Sequence, residues 1–499
     1  MITKVILVRP GSRGKVEFPH GLLYLATALK QAGFESEIID FQADKNLNTN
    51  HIISSLKKNQ NAMLGISALA GSYLWVKKLC QQVKQELPQT KIIIGGHITA
   101  TYEILIQKTK TDYVCLGEGE ESLPLLIKAL NQNNNLDDIP GIAYNKNNKI
   151  ITTKRKLIKN FLVPDFSLIN VDNYFFHPST DRFFARDPRY HARSKPGDKM
   201  TTLMFSRGCR GACNFCYRHL PGYRQGEIDW AWEYMMQLYQ KYNIRYFRID
   251  DELFISDKKW FEKFYQKIID SNIKIMFRVS GLRVDNVDND SLSKLKHIGC
   301  IAINYGIESG SQKILDNMNK LVTVEDNFHA IQSTVKHGMQ VMAYIMFGYP
   351  GETRKTLIET LNLMIKTDVN TEDVDIFYTV PLPGTRLYRD CILTKKIKDE
   401  EQFLIQLSSN IDYQYDRYTI KLGGLNRDQL KAFEKKFLFL IGFSRLIGNK
   451  NLIFKLFKKI ILYIPDNSKF NTIFIPLKKI TLKLNKLIHK PKFYKYAIS

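Results

Sequence analysis

Cys209, Cys213 and Cys216 stand at C-x3-C-x2-C spacing inside SRGCRGACNFCY, residues 206–217. Thiolates are soft ligands, and three on one short loop can hold three irons of an iron–sulfur cubane, leaving the fourth open to a small molecule. Gly208 and Gly211 would let the backbone fold tightly around it. The alternatives are three buried thiols, or a zinc site completed by a fourth ligand, for which His219 is the candidate. The remaining cysteines of the seven, Cys80, Cys115, Cys300 and Cys391, fall in helical or strand patterns and are expected in the core. An odd count in a long chain is a poor disulfide framework and points to a reducing cytoplasm.

Further polar clusters each follow a short apolar run. Asp250-Asp251-Glu252 follows IRYFRI, Glu308 and Ser309 end IAINYGIES, and Gly348-Tyr349-Pro350-Gly351-Glu352 follows QVMAYIMF. A carboxylate beside glycines can bind a ribose hydroxyl while the backbone approaches closely. Arg278 and Arg283 flank the end of another run, where a guanidinium suits bidentate binding of a cofactor carboxylate or substrate anion. An internal salt bridge is the alternative. Nearer the start, Ser67, Gly95-Gly96-His97 and Gly117-Glu118-Gly119-Glu120 end three more runs.

The elements that must position these groups are two successive strand–helix alternations. Apolar runs at 4–8, 36–40, 62–67, 91–96 and 112–117 alternate with amphipathic segments at 21–33, 73–87 and 121–130. This predicts an α/β fold that begins with a doubly wound parallel sheet, whose ligands bind beyond the carboxyl ends of the strands. A hairpin is expected at 141–154. Residues 155–198 form a connector without sustained period, a linker or an active-site cover. Six more β/α units over 199–395 are enough for a partial TIM-type barrel, whose active groups sit at the carboxyl ends of its strands. The expected division is 1–154, 155–198, 199–395 and a basic, mostly helical 396–499.

In the cysteine loop, with Phe215 just before its third Cys, the chain resembles the radical S-adenosylmethionine (SAM) superfamily. That resemblance implies a 4Fe–4S cluster on Cys209, Cys213 and Cys216 whose open iron chelates SAM, yielding a 5′-deoxyadenosyl radical. It implies cofactor contacts from Phe215, Asp250, Asp251, Glu252, Arg278, Glu308, Ser309, Gly348, Pro350 and Glu352, and an external one-electron reductant of flavodoxin or ferredoxin type. PHGLLYLATALKQAG, GGHIT and GEGEES together resemble the cobalamin-binding domain that precedes many of these enzymes. This implies cobalamin contacts from Ser67, Gly95, Gly96, His97, Glu118, Gly119 and Glu120. The D-x-H-x-x-G motif of histidine-ligated cobalamin is missing from RPGSRGKVEFPHG, so neither His20 nor His97 is expected on cobalt.

The implied reaction is methylation of an unactivated carbon of a small-molecule or lipid-like substrate. One SAM would methylate cob(I)alamin, a second would supply the radical, and the substrate radical would take the methyl group. Cyclisation or rearrangement without methyl transfer is the second reading. A tRNA-modifying sulfur-insertion enzyme ranks below it, because those relatives use three N-terminal cysteines and this sheet offers only Cys80 and Cys115. A cobalamin-sensing module would leave the cysteine loop without a use.

The chain has 499 residues and a net charge of +24. Residues 431–499 hold 16 Lys and Arg against two acids, Glu434 and Asp466. The excess sits on an appendage, which argues against a surface that wraps nucleic acid. No secretory signal or apolar run of about 18 residues is visible, so a cytoplasmic chain is expected. In NLIFKLFKKIILYIP the apolar residues Leu452, Ile453, Leu456, Phe457, Ile460 and Ile461 share a helical face beside lysines. Such a helix could lie on the anionic inner face of the membrane or pack against the barrel.

Overall fold

The computed structural model describes residues 1–11, 16–218, 222–409, 420–448 and 451–463. His219 and the segment 464–499, which carries part of the basic appendage, lie outside the described residues.

The first sheet comprises β1 (Lys4–Arg9), β2 (Glu35–Asp40), β3 (Ala62–Ser67), β4 (Ile92–Gly95), β5 (Tyr113–Cys115), β6 (Ile142–Lys146) and β7 (Lys149–Thr152). Its order is β2-β1-β3-β4-β5-β6-β7. The first five strands are parallel, and the hairpin β6–β7 extends the sheet antiparallel. Val5, Ile6, Leu7 and Val8 are all buried, because helices cover both faces. Val5 and Leu7 pack on the side of helices His20–Gln31 and Gly119–Gln132, while Ile6 and Val8 face helices Thr49–Lys58 and Tyr73–Glu86. The order reverses between β1 and β3, which opens a crevice at their carboxyl ends.

The second sheet comprises β8 (Lys199–Leu203), then, after the ribbon β9 (Ser206–Cys209) and β10 (Gly222–Gln225), β11 (Ile244–Ile249), β12 (Met276–Leu282), β13 (Cys300–Glu308), β14 (Gln340–Phe347) and β15 (Val374–Tyr378). Six parallel strands run in sequence order from β8 to β15, and those two edges do not pair. The result is the expected open barrel. Helix Arg427–Ile447 lies outside it, with Phe433 and Phe437 against Phe347 at ring separations of 6.1 and 5.4 Å.

The connector corrects one expectation. Instead of covering the mouth, its short helices Arg182–Arg186 and Pro188–His191 plug the opposite end. Phe183, Phe184 and Tyr190 pack on Met200, Tyr246, Met276, Ala302 and Met342, all near the amino ends of their strands. Asp181 and Asp187 cap the two helices by accepting the N–H groups of Phe183 and Arg189. Asp181 also pairs with Arg278 at 2.8 Å, the internal salt bridge that was the alternative reading of this buried arginine. Only the first part of the connector, around Ile158 and Phe161, reaches the mouth.

Phe184 is fully buried in the plug. Phe184→Ala is expected to lower unfolding stability by about 3–5 kcal/mol. An unchanged urea midpoint would remove the plug's structural role.

Candidate active site between the two sheets

The loop bearing Cys209, Cys213 and Cys216 is bounded by the antiparallel ribbon β9–β10, in which Arg207 lies opposite Arg224 and Cys209 opposite Gly222. Gly208 has φ +78°, and a Cβ there would fall 2.2 Å from the Gly222 carbonyl, so the ribbon needs glycine at this point. Beyond it the loop is tied down from both sides. Asn214 donates its N–H to the Met318 carbonyl and its side-chain amide to Asn317, and accepts the N–H of Leu387. Asn319 donates to the Ala212 carbonyl. Phe215 packs edge-on against Tyr349 at 6.3 Å.

A Cβ built on Gly211 would lie 3.4 Å from Cys209 Sγ, 3.8 Å from Cys213 Sγ and 3.0 Å from Arg283 Nη1, which places two thiols and a guanidinium around one small residue. Burial, the other two cysteines and the carboxylates of Glu252 and Glu308 push the Cys216 thiol up to about 12. A positive metal core at this spot would invert that preference. Among the described residues no three His, Cys, Asp or Glu side chains group around a single ion. The three thiols lie near enough to act on one another electrostatically.

The three acids after β11 have three different surroundings. Asp250 pairs with Arg248 at 2.9 Å. Asp251 turns inward, where its Oδ1 accepts the N–H groups of Phe205 at 2.6 Å and Ser206 at 3.3 Å, bracing the start of the ribbon, and its buried Oδ2 has no partner. Burial pushes its carboxyl up to about 7. Glu252 faces the cavity described below. Glu308 adopts φ +59° and pairs with Lys320 at 2.7 Å. Ser309 shares a hydrogen bond with Thr360 at 3.2 Å and accepts the Ser311 N–H at 3.1 Å, a buried network. Glu352 accepts the Gly348 N–H at 2.6 Å, also buried. Pro350 accepts from Asn317 at 3.3 Å. Ser309 and Glu352 thus brace their own loops.

On the first sheet, Ser67, Gly95, Gly96, His97, Glu118, Gly119 and Glu120 line one cavity of about 460 Å³. Met204, Arg207, Gly208, Arg224 and Glu252 close it from the barrel side. The cavity also runs under helix His20–Gln31, past Leu7, Gly65 and Ile93 of the sheet and Leu22, Leu25 and Leu123 above it. A Cβ on Gly119 would lie 2.7 Å from Leu25 Cδ2 and push that side chain aside. A slot with apolar walls, open to a polar rim, suits a large cofactor with a tail. The ring of His97 stacks obliquely on Tyr217 of the cysteine loop at 4.6 Å. His20 also lines the cavity; burial lowers its pKa to about 4, and its Nε2 has no partner.

Sequence reading missed the residues that join the two halves. Arg207 binds Glu118 at 2.9 Å and Glu120 at 2.7 Å, with its guanidinium 4.8 Å from the Tyr24 ring and 4.7 Å from Phe161. Arg224 binds both oxygens of Glu118, at 2.7 and 2.8 Å. Burial works against charge in Glu118, yet Arg224 and Arg207 hold its carboxyl below the usual range. The only signal in the sequence was the position of Arg207 two residues before Cys209.

The model of the B12 binding domain matches residues 7–127, and that of the radical SAM superfamily matches residues 203–364. The chain carries a B12 binding domain followed by a radical SAM domain. It is 26% identical over 407 residues to an uncharacterized methyltransferase of Pyrococcus horikoshii, covering 78% of this chain and 83% of the relative. It is 23% identical to the anaerobic magnesium-protoporphyrin IX monomethyl ester cyclase of Rubrivivax gelatinosus, covering 77% and 68%. The hopanoid C-3 methylase of Methylococcus capsulatus is 23% identical, covering 78% and 71%. In fold it is similar to the cobalamin-dependent S-adenosylmethionine radical enzyme OxsB, solved with aqua-cobalamin and S-adenosylmethionine bound. The TM-score is 0.70 at 17% identity, over 96% of this chain and 75% of that one.

Burial pushes the Glu352 carboxyl up to about 8. Its folded pKa lies above the unfolded one, so the folded chain holds the extra proton between the ordinary carboxylate range and that value, and stability falls as pH rises through this window. Glu352→Gln removes the titration and keeps an acceptor for Gly348. Its stability relative to wild type is expected to improve by about 4 kcal/mol from pH 5 to pH 9 in urea unfolding; a pH-independent difference would contradict the assignment.

Proposed function

We propose that this enzyme methylates an unactivated carbon, with residues 1–154 holding cobalamin, residues 199–395 holding the cluster and SAM, 155–198 joining them and 396–499 appended. The observation that carries this reading is the single cavity lined by the carboxyl-end loops of the first sheet and by Arg207, Gly208 and Glu252 beside the cysteine loop. Beside it, Cys209, Cys213 and Cys216 would hold the cluster. Arg283 and Lys320, close to Cys213, would offset thiolate charge. Glu252, Glu308, Gly348, Pro350 and Phe215 would border SAM. Ser67, Gly95, Gly96, His97 and Gly119 would lie along cobalamin. When bound, the cluster with SAM supplies a 5′-deoxyadenosyl radical and cobalamin a methyl group. The chain's own residues orient both, exclude water from the slot under helix His20–Gln31, and leave the substrate between them. A one-electron donor must reduce the cluster from outside.

Anaerobic reconstitution with iron, sulfide and hydroxocobalamin should load about four irons per chain and one corrinoid. Cys213→Ala should lose the iron and keep the corrinoid, while a wild type that retains no corrinoid would sink the reading. The similarity to the Rubrivivax cyclase favours one second reading, cyclisation without methyl transfer. Methyl-labelled SAM separates the two: label in the product supports methylation, and unlabelled product with 5′-deoxyadenosine supports cyclisation.

The hopanoid methylase among the relatives supports a lipid-like substrate, and helix Leu452–Tyr463 supports contact with an anionic membrane surface. Phe454 and Ile461 are buried, and Phe457 packs on Phe443 at 4.9 Å. Leu452, Leu456 and Ile460 form a second stripe, 69%, 54% and 59% exposed, beside the exposed Lys455 and Lys459. The expected single apolar face is therefore two stripes, one packed and one outward. No helix among the described residues is long and apolar enough to span a membrane. Changing Leu452, Leu456 and Ile460 to Gln should weaken co-sedimentation with anionic vesicles by at least about tenfold; equal binding would refute the contact.

A further inference from the structure

The ribbon β9–β10 sets two guanidiniums, Arg207 and Arg224, directly opposite each other. Like charges at facing positions repel, so an isolated ribbon would resist this register. The compensating charge comes from the other sheet. Glu118 lies between the two guanidiniums, and Glu120 takes the free arm of Arg207. Glu118 also accepts the N–H of Ile158, and Arg224 donates to the Ile158 carbonyl, so the connector joins the same knot. Tyr24 and Phe161 flank the Arg207 guanidinium, shielding it from solvent. Two cations and two anions are thus held together, largely shielded from water, at the rim of the shared cavity.

The ends of this knot matter. Arg207 stands two residues before Cys209, and Glu118 and Glu120 belong to the loop after β5 that lines the slot. A rigid link of a few side chains therefore runs from the cysteine loop to the first-sheet crevice. We propose that Glu118, Glu120, Arg207 and Arg224 form an electrostatic lock that sets the distance and orientation between the cluster and the corrinoid, making Arg207 and Glu118 positioning residues for the reaction. This rests on the reading that both cofactors bind as stated above. Planar guanidinium is required because one group must serve two carboxylates and two ring faces, which an ammonium cannot do. The consequence is kinetic, since a misplacement of about 1 Å can cost about 100-fold in rate.

The test uses the full-length holoenzyme reconstituted with iron, sulfide and hydroxocobalamin, then reduced so that both the cluster and cobalt are paramagnetic. Pulsed electron paramagnetic resonance reads their separation. Wild type should give one narrow distance distribution. Arg207→Lys and Glu118→Gln should keep wild-type iron and corrinoid counts and lose that narrow distribution. Lys77→Met, which breaks the Lys77–Glu401 ion pair (2.6 Å) elsewhere between the first sheet's helices and the C-terminal part, should change neither. Arg207→Lys and Glu118→Gln proteins with both cofactors and an unchanged distribution would overturn the lock. So would outright loss of a cofactor from Arg207→Lys, because the residue would then act in cofactor retention. Wild type without corrinoid overturns the underlying reading, a result distinct from either.

Discussion

A parallel strand delivers its loop at one end only, and the architecture of this enzyme follows from that constraint. The carboxyl-end loops of the five parallel strands of the first sheet, and those after β8 and β11 of the second, line a common space. Chemistry that needs two cofactors within reach of one substrate is served by bringing two such ends together. The cavity is lined from both sides for this reason, and apolar packing also runs across the junction, where Ile314, Met318 and Tyr349 join the core of the first sheet.

Bringing loops together concentrates charge where water is scarce. The junction answers with matched pairs: Arg207 and Arg224 with Glu118 and Glu120, Lys320 with Glu308, Arg248 with Asp250. Removing one member of a buried pair costs far more than the pair is worth as a whole. Such pairs therefore specify geometry more than they add stability. The buried acids without a cation, Asp251 and Glu352, hold backbone N–H groups of the loops they brace, and burial raises both. They give loop shape at some expense in stability at high pH.

The barrel's other end is shut by the connector. Phe183 and Phe184 fill the space that a complete barrel would fill with inward side chains, and the Asp181–Arg278 pair sits just above them. The end of the barrel away from the cysteine loop is thereby closed. A segment without regular period can do this because short capped helices need only Asp at the N-cap and aromatics to bury.

The sequence alone determined which chemistry the cysteine loop is suited to, and the order of elements. C-x3-C-x2-C spacing is a local property, and the periods of 2 and 3.6 residues that mark strands and helices are written in neighbouring positions. The first-sheet motifs also read correctly as one lining, because strand ends in a parallel sheet are neighbours by construction. Partner choice was decided only by the tertiary structure. Whether Glu118 faces solvent, a cofactor or Arg207, 89 residues away, depends on how two sheets dock. Arg278 and Asp181 are 97 residues apart, and neither announces the other. Asp250, Asp251 and Glu252 are adjacent in the chain yet end in an ion pair, a backbone brace and a cavity wall. Residue type limits what a side chain can bind, but its direction at a strand end is set by packing from distant segments that no local pattern records.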